Sequence, residues 1–153
     1  MKLTLLGTGC PSVDFKRCGS SNLISTKSTK ILVDCGSGVT QRLNQSKNSS
    51  ADIDALLLTH LHTDHVIDLY QLIISSWHSD RTSQWKIYGP KGTKKFVDKI
   101  FSAWKSERKL RISYEKRKTI CVRYWFMINF KIFYFNIINI YKSFFFKLIN
   151  FII

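Results

Sequence analysis

The sequence predicts an α/β layered domain, and three observations support this fold class. Short apolar runs of strand length alternate with segments of helical pattern. Each run ends at a glycine or in a polar loop, and one of them, residues 55–58, is apolar enough to be a strand buried on both faces. With 153 residues, 44% of them hydrophobic, the chain can fill the core of one domain.

The individual elements follow from these patterns. Strands are predicted at residues 2–6, 23–24, 31–34, 55–58 and 86–88, with a further strand beginning at 111–114. Helices are predicted at residues 39–43, at 66–77 and after Thr93, which would cap the last one. In that last helix the apolar residues share one stripe: Phe96, Val97, Ile100, Phe101 and Trp104.

The charge of the chain is unevenly distributed. The formal net charge is +14, yet residues 1–85 hold 8 Lys/Arg against 7 Asp/Glu. Residues 86–118 hold 12 against 3, and 119–153 add 4 basic residues and no acid. A basic excess of this kind suits a face that binds a polyanion, and it is also typical of a solvated helix face; Lys94, Lys95, Lys99 and Lys105 permit both interpretations.

The cysteines and the amino terminus indicate a reducing compartment. Cys10, Cys18, Cys35 and Cys121 form no C-x-x-C pair, which favours small buried thiols over disulfides or a metal cluster. The first apolar run ends after four apolar residues at Gly7, too early for the core of a signal peptide. A cytoplasmic location is therefore expected.

The end of the chain has a different composition. In residues 126–153, 25 of 28 residues are Phe, Ile, Asn, Lys or Tyr, the amino acids of codons built from A and T alone. We therefore expect residues 119–153 to be a low-complexity tail that is not native to the fold, with translated non-coding sequence as its source. The alternative is a membrane span, but the longest charge-free run, residues 132–141, is 10 residues long, against the ~18–20 that a span needs.

One segment carries the chemistry. Residues 60–65, which directly follow the buried strand, hold three histidines and one aspartate: His60, His62, Asp64 and His65. In an extended segment His60 and His62 point to the same side, and two neutral imidazoles form half of a tetrahedral zinc site. Asp64 and His65 follow where the chain turns into a helix and can face a second ion, because paired ions in hydrolytic sites lie only ~3.5–4 Å apart.

This His-x-His-x-Asp-His segment resembles the signature of the metallo-β-lactamase superfamily. Four shorter phrases are similar to the ribonuclease Z branch: Leu-Leu-Gly-Thr-Gly at 5–9, Leu-Val-Asp-Cys-Gly at 32–36, Ile-Asp at 53–54 and Ile-Tyr-Gly-Pro-Lys-Gly-Thr at 87–93. Their order along residues 1–118 supports the resemblance more than any single phrase. It implies the N-terminal half of the family's αββα sandwich, partial over residues 1–118.

The resemblance also implies roles. His60 and His62 would hold one zinc ion and Asp64 and His65 the other, with Asp64 orienting or deprotonating the attacking water. Asp34 matches an acid that supports the motif loop from behind, although a cap of the strand end is an alternative. Gly7 and Gly9 suit a tight turn near the site or, less simply, a phosphate cradle. His78 matches no ligand position, and we expect a surface or helix-end histidine.

The chain departs from the family in its second half. No histidine follows His78 and no acid follows Glu115, so the further ligands that the family uses are missing and one sheet face is left open. The expected function is a ribonuclease Z-type zinc hydrolase that cuts precursor tRNA at its 3′ side, here truncated and inactive.

Two alternatives are a hydrolase of small esters, such as aryl sulfates or cyclic nucleotides, and a non-catalytic fragment. For the small-ester hydrolase, Trp77, His78 and Arg81 would suit the substrate. Expected partners are the phosphodiester or ester substrate and a second copy of the chain, with no membrane.

Overall fold

Six strands form one sheet whose spatial order is their order along the chain. The structure, a computed structural model, describes residues 1–115 and the backbone of 122–126. The strands are β1 (Lys2–Gly7), β2 (Ser21–Ser25), β3 (Lys30–Val33), β4 (Ala55–Leu57), β5 (Trp85–Gly89) and β6 (Val122–Phe126). β1, β2 and β3 pair antiparallel, and β3 to β6 run parallel to one another. This arrangement confirms the predicted α/β class.

The helices connect the strands and cover one face of the sheet. They are α1 (Val39–Gln45), α2 (Thr63–Val66), α3 (Leu69–His78), α4 (Thr93–Ala103) and α5 (Lys105–Glu115), with one 3₁₀ turn at Ser50–Asp52. The strand register aligns four fully buried residues across the covered face: Leu23, Leu32, Leu56 and Ile87. Leu43 of α1, Leu72 of α3 and Val97 of α4 belong to the same core, which therefore fixes the helices against the sheet.

The described residues cover the opposite face of the sheet less completely. Leu3, Ile24 and Ile31 lie side by side in the strand register and are partly exposed, and Leu5 is 61% exposed. An exposed apolar face of this kind favours association. Pairing with a second copy stays a prediction.

Three predicted details were wrong. Residues 111–114 belong to helix α5, where Glu107 accepts a hydrogen bond from Arg111 one turn later at 2.8 Å, so the short apolar alternation there does not make a strand. Thr93 does not cap α4: Gly92 holds the cap position with φ 103°, and the Thr93 hydroxyl donates to the Pro90 carbonyl. The predicted helix at 66–77 is split, since α2 ends at Val66 and α3 begins at Leu69.

β6 bears on the predicted boundary at residue 118. Val122–Phe126 pairs parallel with β5 over all five residues, although it lies inside the segment expected to be foreign to the fold. Residues 127–153 lie outside the described residues. The division of the chain into 1–118 and 119–153 therefore stays a prediction.

The cysteines differ in their environment. Cys35 is fully buried, as predicted, and burial together with the carboxylates of Asp68 and Asp34 raises the pKa of its thiol well above the ordinary value. Cys10 is exposed and Cys18 partly exposed, so the prediction of buried thiols was wrong for Cys10. Cys121 lies outside the described residues. Among the described helices none has the length and apolar character needed to cross a membrane.

Arg81, which the sequence offered for a small-ester substrate, makes its observed contacts with the scaffold. Its guanidinium donates to the carbonyls of Ala51 at 2.9 Å and Ile53 at 2.6 Å, and it lies 4.2 Å from the ring centre of Trp85. Two further donations go to the carbonyls of Ser83 and Gln84. Trp77 is likewise buried, at 6% exposure. Arg81 therefore holds the loop before β4 to the loop before β5.

We expect Arg81→Ala to lower the free energy of unfolding by about 3 kcal/mol, because several carbonyls lose a charged donor and Trp85 loses its stacking partner. Urea unfolding followed by tryptophan fluorescence measures this loss. Arg17→Ala is the matched control, since Arg17 makes only a 3.8 Å ion pair with Asp14 at a 63% exposed side chain and should cost under about 1 kcal/mol. Equal losses in the two variants would contradict the assignment of Arg81 to the scaffold.

Candidate metal centre

The His-x-His-x-Asp-His segment leaves the sheet at the carboxyl end of β4. Parallel strands place their exits at one edge of the sheet, so the segment that follows β3, beginning at Asp34, lies beside it. His62 caps α2 with an extended backbone, and Asp64 and His65 lie within that helix. The sequence expectation of an extended stretch followed by a helical turn is therefore what the backbone shows.

Three imidazoles come together at this exit. The ring centres of His60 and His62 are 4.6 Å apart, and those of His60 and His65 are 4.0 Å apart. Asp64 adds a carboxylate oxygen 3.4 Å from Nε2 of His65. All four residues singled out from the sequence are thus neighbours in space.

Asp34 anchors the segment from behind. Its carboxylate, only 5% exposed, lies 2.8 Å from Nδ1 of His65 and accepts hydrogen bonds from the backbone N–H of Thr59 at 2.8 Å and from the Thr59 hydroxyl. The carboxylate of Asp34 is therefore engaged by Thr59, which precedes His60, and by His65, which follows it. It does not cap its own strand end. Asp34 itself has φ 61°, in the left-handed region that few non-glycine residues adopt.

Backbone contacts hold the same two segments together. The N–H of Cys35 donates to the carbonyl of His65 at 2.7 Å, and the N–H of Asp68 donates to the carbonyl of Cys35 at 3.1 Å. A Cβ atom on Gly36 would lie 2.2 Å from the carbonyl oxygen of Asp64. The chain therefore needs glycine at 36 for close approach to the motif, not for an unusual φ.

Gly7 and Gly9 serve a similar purpose elsewhere. A Cβ on Gly7 would lie 1.9 Å from the carbonyl oxygen of Gly19, and the N–H of Gly9 donates to the carbonyl of Cys18 at 2.8 Å. Both glycines allow two backbone segments to touch beside the cleft described below. The Gly9 N–H is engaged by protein, so it is not free to cradle a phosphate.

The electrostatics of the site favour neutral histidine. Partial burial, followed by the positive charges that His65 and His62 carry when protonated, lowers the pKa of His60. A neutral imidazole is the form that binds a metal ion. The carboxylate of Asp34 also favours placing the ring proton of a neutral His65 on Nδ1, which leaves Nε2 with a lone pair facing Asp64.

The donor chemistry fits a metal ion, although the donor set is incomplete. A lone pair on Nε2 of His65 and the Asp64 carboxylate 3.4 Å away repel each other unless a cation or a proton lies near both. Nitrogen and carboxylate donors of this type suit zinc. Within the described part of the chain, however, no group of three or more His, Cys, Asp or Glu side chains is arranged so that it could hold an ion.

A cleft of about 650 Å³ opens beside the motif. Thr63 and Asp64 form part of its wall, and the loop at residues 10–18 forms another part, with Phe15 fully exposed. Three basic side chains, Lys16, Arg17 and Arg42, line the cleft together with the carboxylates of Asp14 and Asp64.

Sequence reasoning missed two residues near the site. Thr59 contacts both Asp34 and His60, and Asp68 accepts hydrogen bonds at 2.7 Å from the N–H and the hydroxyl of Thr40, which ties α1 to α3. The position of Thr59 directly before the first histidine was the one sequence signal for its role. The sequence around Asp68 gives no such signal, because its partner Thr40 lies 28 residues away. His78 is exposed at the end of α3 and lies 2.9 Å from Arg111, which confirms its predicted place outside the motif.

Fold and motif together define the class: the chain has the metallo-β-lactamase fold, and its sequence is similar to ribonuclease Z. A family model described as "Anti-Pycsar protein Apyc1" matches residues 1–134, and the chain belongs to that family. This match, like β6, extends past residue 118.

The chain is also similar to a curated ribonuclease Z and to solved structures of the metallo-β-lactamase fold. A ribonuclease Z of Mycobacterium sp. (strain KMS) is 40% identical over 116 residues, which cover 74% of this chain and 41% of the relative. Human tRNase Z, short form, superposes with a TM-score of 0.66 at 24% identity over 82% of this chain and 44% of that one. The metallo-β-lactamase-fold protein YhfI of Bacillus subtilis has a TM-score of 0.61 at 20% identity, over 82% and 46%. The chain thus spans about two-fifths of the length of the curated relatives that it matches.

Proposed function

We propose that the chain contributes the metal-binding half of a zinc-dependent hydrolase of ribonuclease Z type. Its reaction is endonucleolytic cleavage of a phosphodiester at the 3′ side of precursor tRNA, in the cytoplasm. The observation that carries the proposal is the cluster of His60, His62, Asp64 and His65, held by Asp34 at the exit of a parallel strand. The 40% identity to a ribonuclease Z over the same part of the chain supports the substrate class.

In this proposal the motif divides between two zinc ions. His60 and His62 hold one ion, and Asp64 and His65 hold the other. Bound zinc supplies Lewis-acid polarisation of water and of a phosphoryl oxygen. Asp34 fixes the His65 ring through Nδ1, so that the free Nε2 keeps its direction toward the shared space with Asp64.

Asp64 is the proposed proton acceptor. Its side chain is 11% exposed and borders the cleft, so it can reach a water molecule there while remaining shielded from bulk solvent. A carboxylate in this place orients the attacking water and takes its proton. The basic wall formed by Lys16, Arg17 and Arg42 would hold the phosphate group against it.

The donor set limits what this chain does by itself. It has no histidine after His78 and no acid after Glu115, so the further ligands that the family resemblance implies are not among its residues. We therefore propose weak metal binding and no turnover by the chain alone. A working site would need those ligands from a completing segment.

A chimeric protein tests the proposed function. Residues 1–118 replace the matching part of the mycobacterial ribonuclease Z, whose remaining sequence supplies the missing half. We expect the zinc-loaded chimera to cleave precursor tRNA, whereas the same chimera with His60→Ala and His62→Ala should not. The 153-residue chain, assayed in parallel, should show no turnover.

A hydrolase of small esters is the second candidate. It stays open because the family model that matches residues 1–134 is described as "Anti-Pycsar protein Apyc1", a description that names neither tRNA nor ribonuclease Z. A folded, zinc-loaded chimera that cleaves a chromogenic phosphodiester or a cyclic nucleotide but leaves precursor tRNA intact would support this candidate and contradict the first.

The basic segment at residues 86–118 gives a separate prediction. If its exposed lysines contact RNA, the affinity of the full chain for tRNA should fall steeply with salt, because each neutralised phosphate releases counterions. The logarithm of the affinity then falls linearly with the logarithm of the salt concentration, in proportion to the number of phosphate contacts. Filter binding from about 50 to 200 mM salt measures the slope.

Lys95→Ala with Lys99→Ala should lower the salt slope, since both side chains are exposed on one side of α4. Lys2→Ala with Lys47→Ala is the control, because it removes the same charge from two exposed positions outside the segment. A flat salt response would leave the lysines of α4 as solvated surface.

A further inference from the structure

Thr59 occupies a position between the buried anchor and the first histidine of the motif. Its hydroxyl oxygen lies 2.9 Å and 2.8 Å from the two carboxylate oxygens of Asp34 and 3.0 Å from Nδ1 of His60. A threonine hydroxyl has one proton to donate and lone pairs with which to accept. The direction of each of these contacts therefore determines the state of the histidine.

The carboxylate is the stronger acceptor of the two neighbours. Asp34 is 3% exposed, and a buried carboxylate without donors is costly, so the hydroxyl proton goes to Asp34 and not to the imidazole. The oxygen of Thr59 can then contact Nδ1 of His60 favourably only as an acceptor. That requires the His60 proton on Nδ1, and it leaves Nε2 with a free lone pair.

His65 is held in the same form by the same carboxylate. Its Nδ1 lies 2.8 Å from the second carboxylate oxygen of Asp34, directly and without an intermediate hydroxyl. Asp34 thus contacts His65 directly and affects His60 through the hydroxyl of Thr59. The ring centres of His60 and His65 are only 4.0 Å apart. The buried carboxylate of Asp34 therefore determines the position of the ring proton in both histidines.

We propose that Thr59 is a positioning residue that fixes His60 in its Nδ1–H tautomer and so presents Nε2 as the free nitrogen. The inference rests on the proposed function in taking His60 as a metal ligand, but the tautomer exists in the metal-free protein and can be measured there. Thr59 acts on the site through the orientation of a neighbouring ring, since its hydroxyl contacts Asp34 and Nδ1 of His60.

The test uses the full chain in two variants. Thr59→Val keeps the shape of the side chain and the backbone N–H that donates to Asp34, but it removes the hydroxyl. Thr59→Ser keeps the hydroxyl and removes a methyl group. Long-range ¹H–¹⁵N spectra of the metal-free protein, at a pH where the rings are neutral, report the tautomer of each histidine, and the chain has only four.

In the unsubstituted chain His60 and His65 should both be Nδ1–H tautomers. In Thr59→Val the His60 signals should shift to the Nε2–H pattern while those of His65 stay, and the zinc affinity should fall by about tenfold. Thr59→Ser should restore the His60 signals. His78, at the far end of α3, is the internal reference and should not change.

The proposal is overturned if His60 of the unsubstituted chain is the Nε2–H tautomer, a result that needs no variant and no metal. It is also overturned if Thr59→Val, folded as judged by unchanged His65 signals, keeps the Nδ1–H tautomer, or if Thr59→Ser behaves like Thr59→Val. A chain that binds no zinc but shows the expected tautomers would refute the proposed function and leave the role of Thr59 in place.

Discussion

Replacing both His60 and His62 by alanine is expected to remove the zinc that the chain holds. Each supplies a nitrogen to the same proposed ion, and their ring centres lie only 4.6 Å apart, so no neighbouring side chain can take over both positions. The loss of two first-sphere nitrogens should lower the affinity beyond measurement at micromolar zinc. Metal analysis after dialysis, with protein concentration measured independently, gives the zinc content.

The matched control for this variant is His78→Ala. His78 is exposed, lies at the end of α3 and contacts Arg111, so its removal should leave the zinc content unchanged. Full zinc retention by the His60→Ala, His62→Ala variant would show that the motif is not the site. Loss of zinc in the His78→Ala variant would show that the histidines act through general stability.

Asp34→Ala should produce the second large effect. The substitution removes the acceptor of the Thr59 N–H, the Thr59 hydroxyl and the His65 ring, and it leaves a β-carbon in the left-handed region. We expect a loss of about 3–4 kcal/mol in the free energy of unfolding, together with a 10- to 100-fold loss of zinc affinity. Denaturant unfolding and zinc titration measure the two effects separately.

Two further variants at this position separate backbone strain from hydrogen bonding. Asp34→Gly removes the strain of φ 61° and should recover about 1 kcal/mol relative to Asp34→Ala, with no recovery of zinc affinity. Asp34→Asn tolerates the same φ and keeps one acceptor oxygen, so it should lie between Asp34→Ala and the original chain in both measurements. Equal zinc affinity in all three variants would contradict the supporting role of Asp34.

The sequence predicted those parts of the fold whose signal is local. The apolar run at 55–58 predicted a strand buried on both faces, because such burial leaves no polar alternation, and its alternation with helical patterns predicted the α/β class. The spacing of His60, His62, Asp64 and His65 gave the candidate ligands, since close placement along the chain brings them together in nearly any backbone. These features need no knowledge of distant contacts.

Other features depend on distant partners and were missed or wrong. Arg81 donates to the carbonyls of Ala51 and Ile53, about 30 residues earlier, and nothing in the residues near Arg81 indicates this. Residues 111–114 alternate like a strand, but their place in α5 is fixed by partners at Glu107 and beyond. The role of Thr59 depends on its contact with Asp34, which lies 25 residues away in the sequence.

The motif residues are proposed to bind zinc through the nitrogens that Asp34 and Thr59 leave free. A zinc titration of the full chain, followed by the histidine ring signals, tests it most directly. We expect the signals of His60, His62 and His65 to move on zinc addition, with Nε2 of His65 affected and its Nδ1 proton retained, while the signals of His78 stay in place. Movement of His78 alone, or no movement at any of the three motif histidines up to millimolar zinc, would show that the motif is not the zinc site.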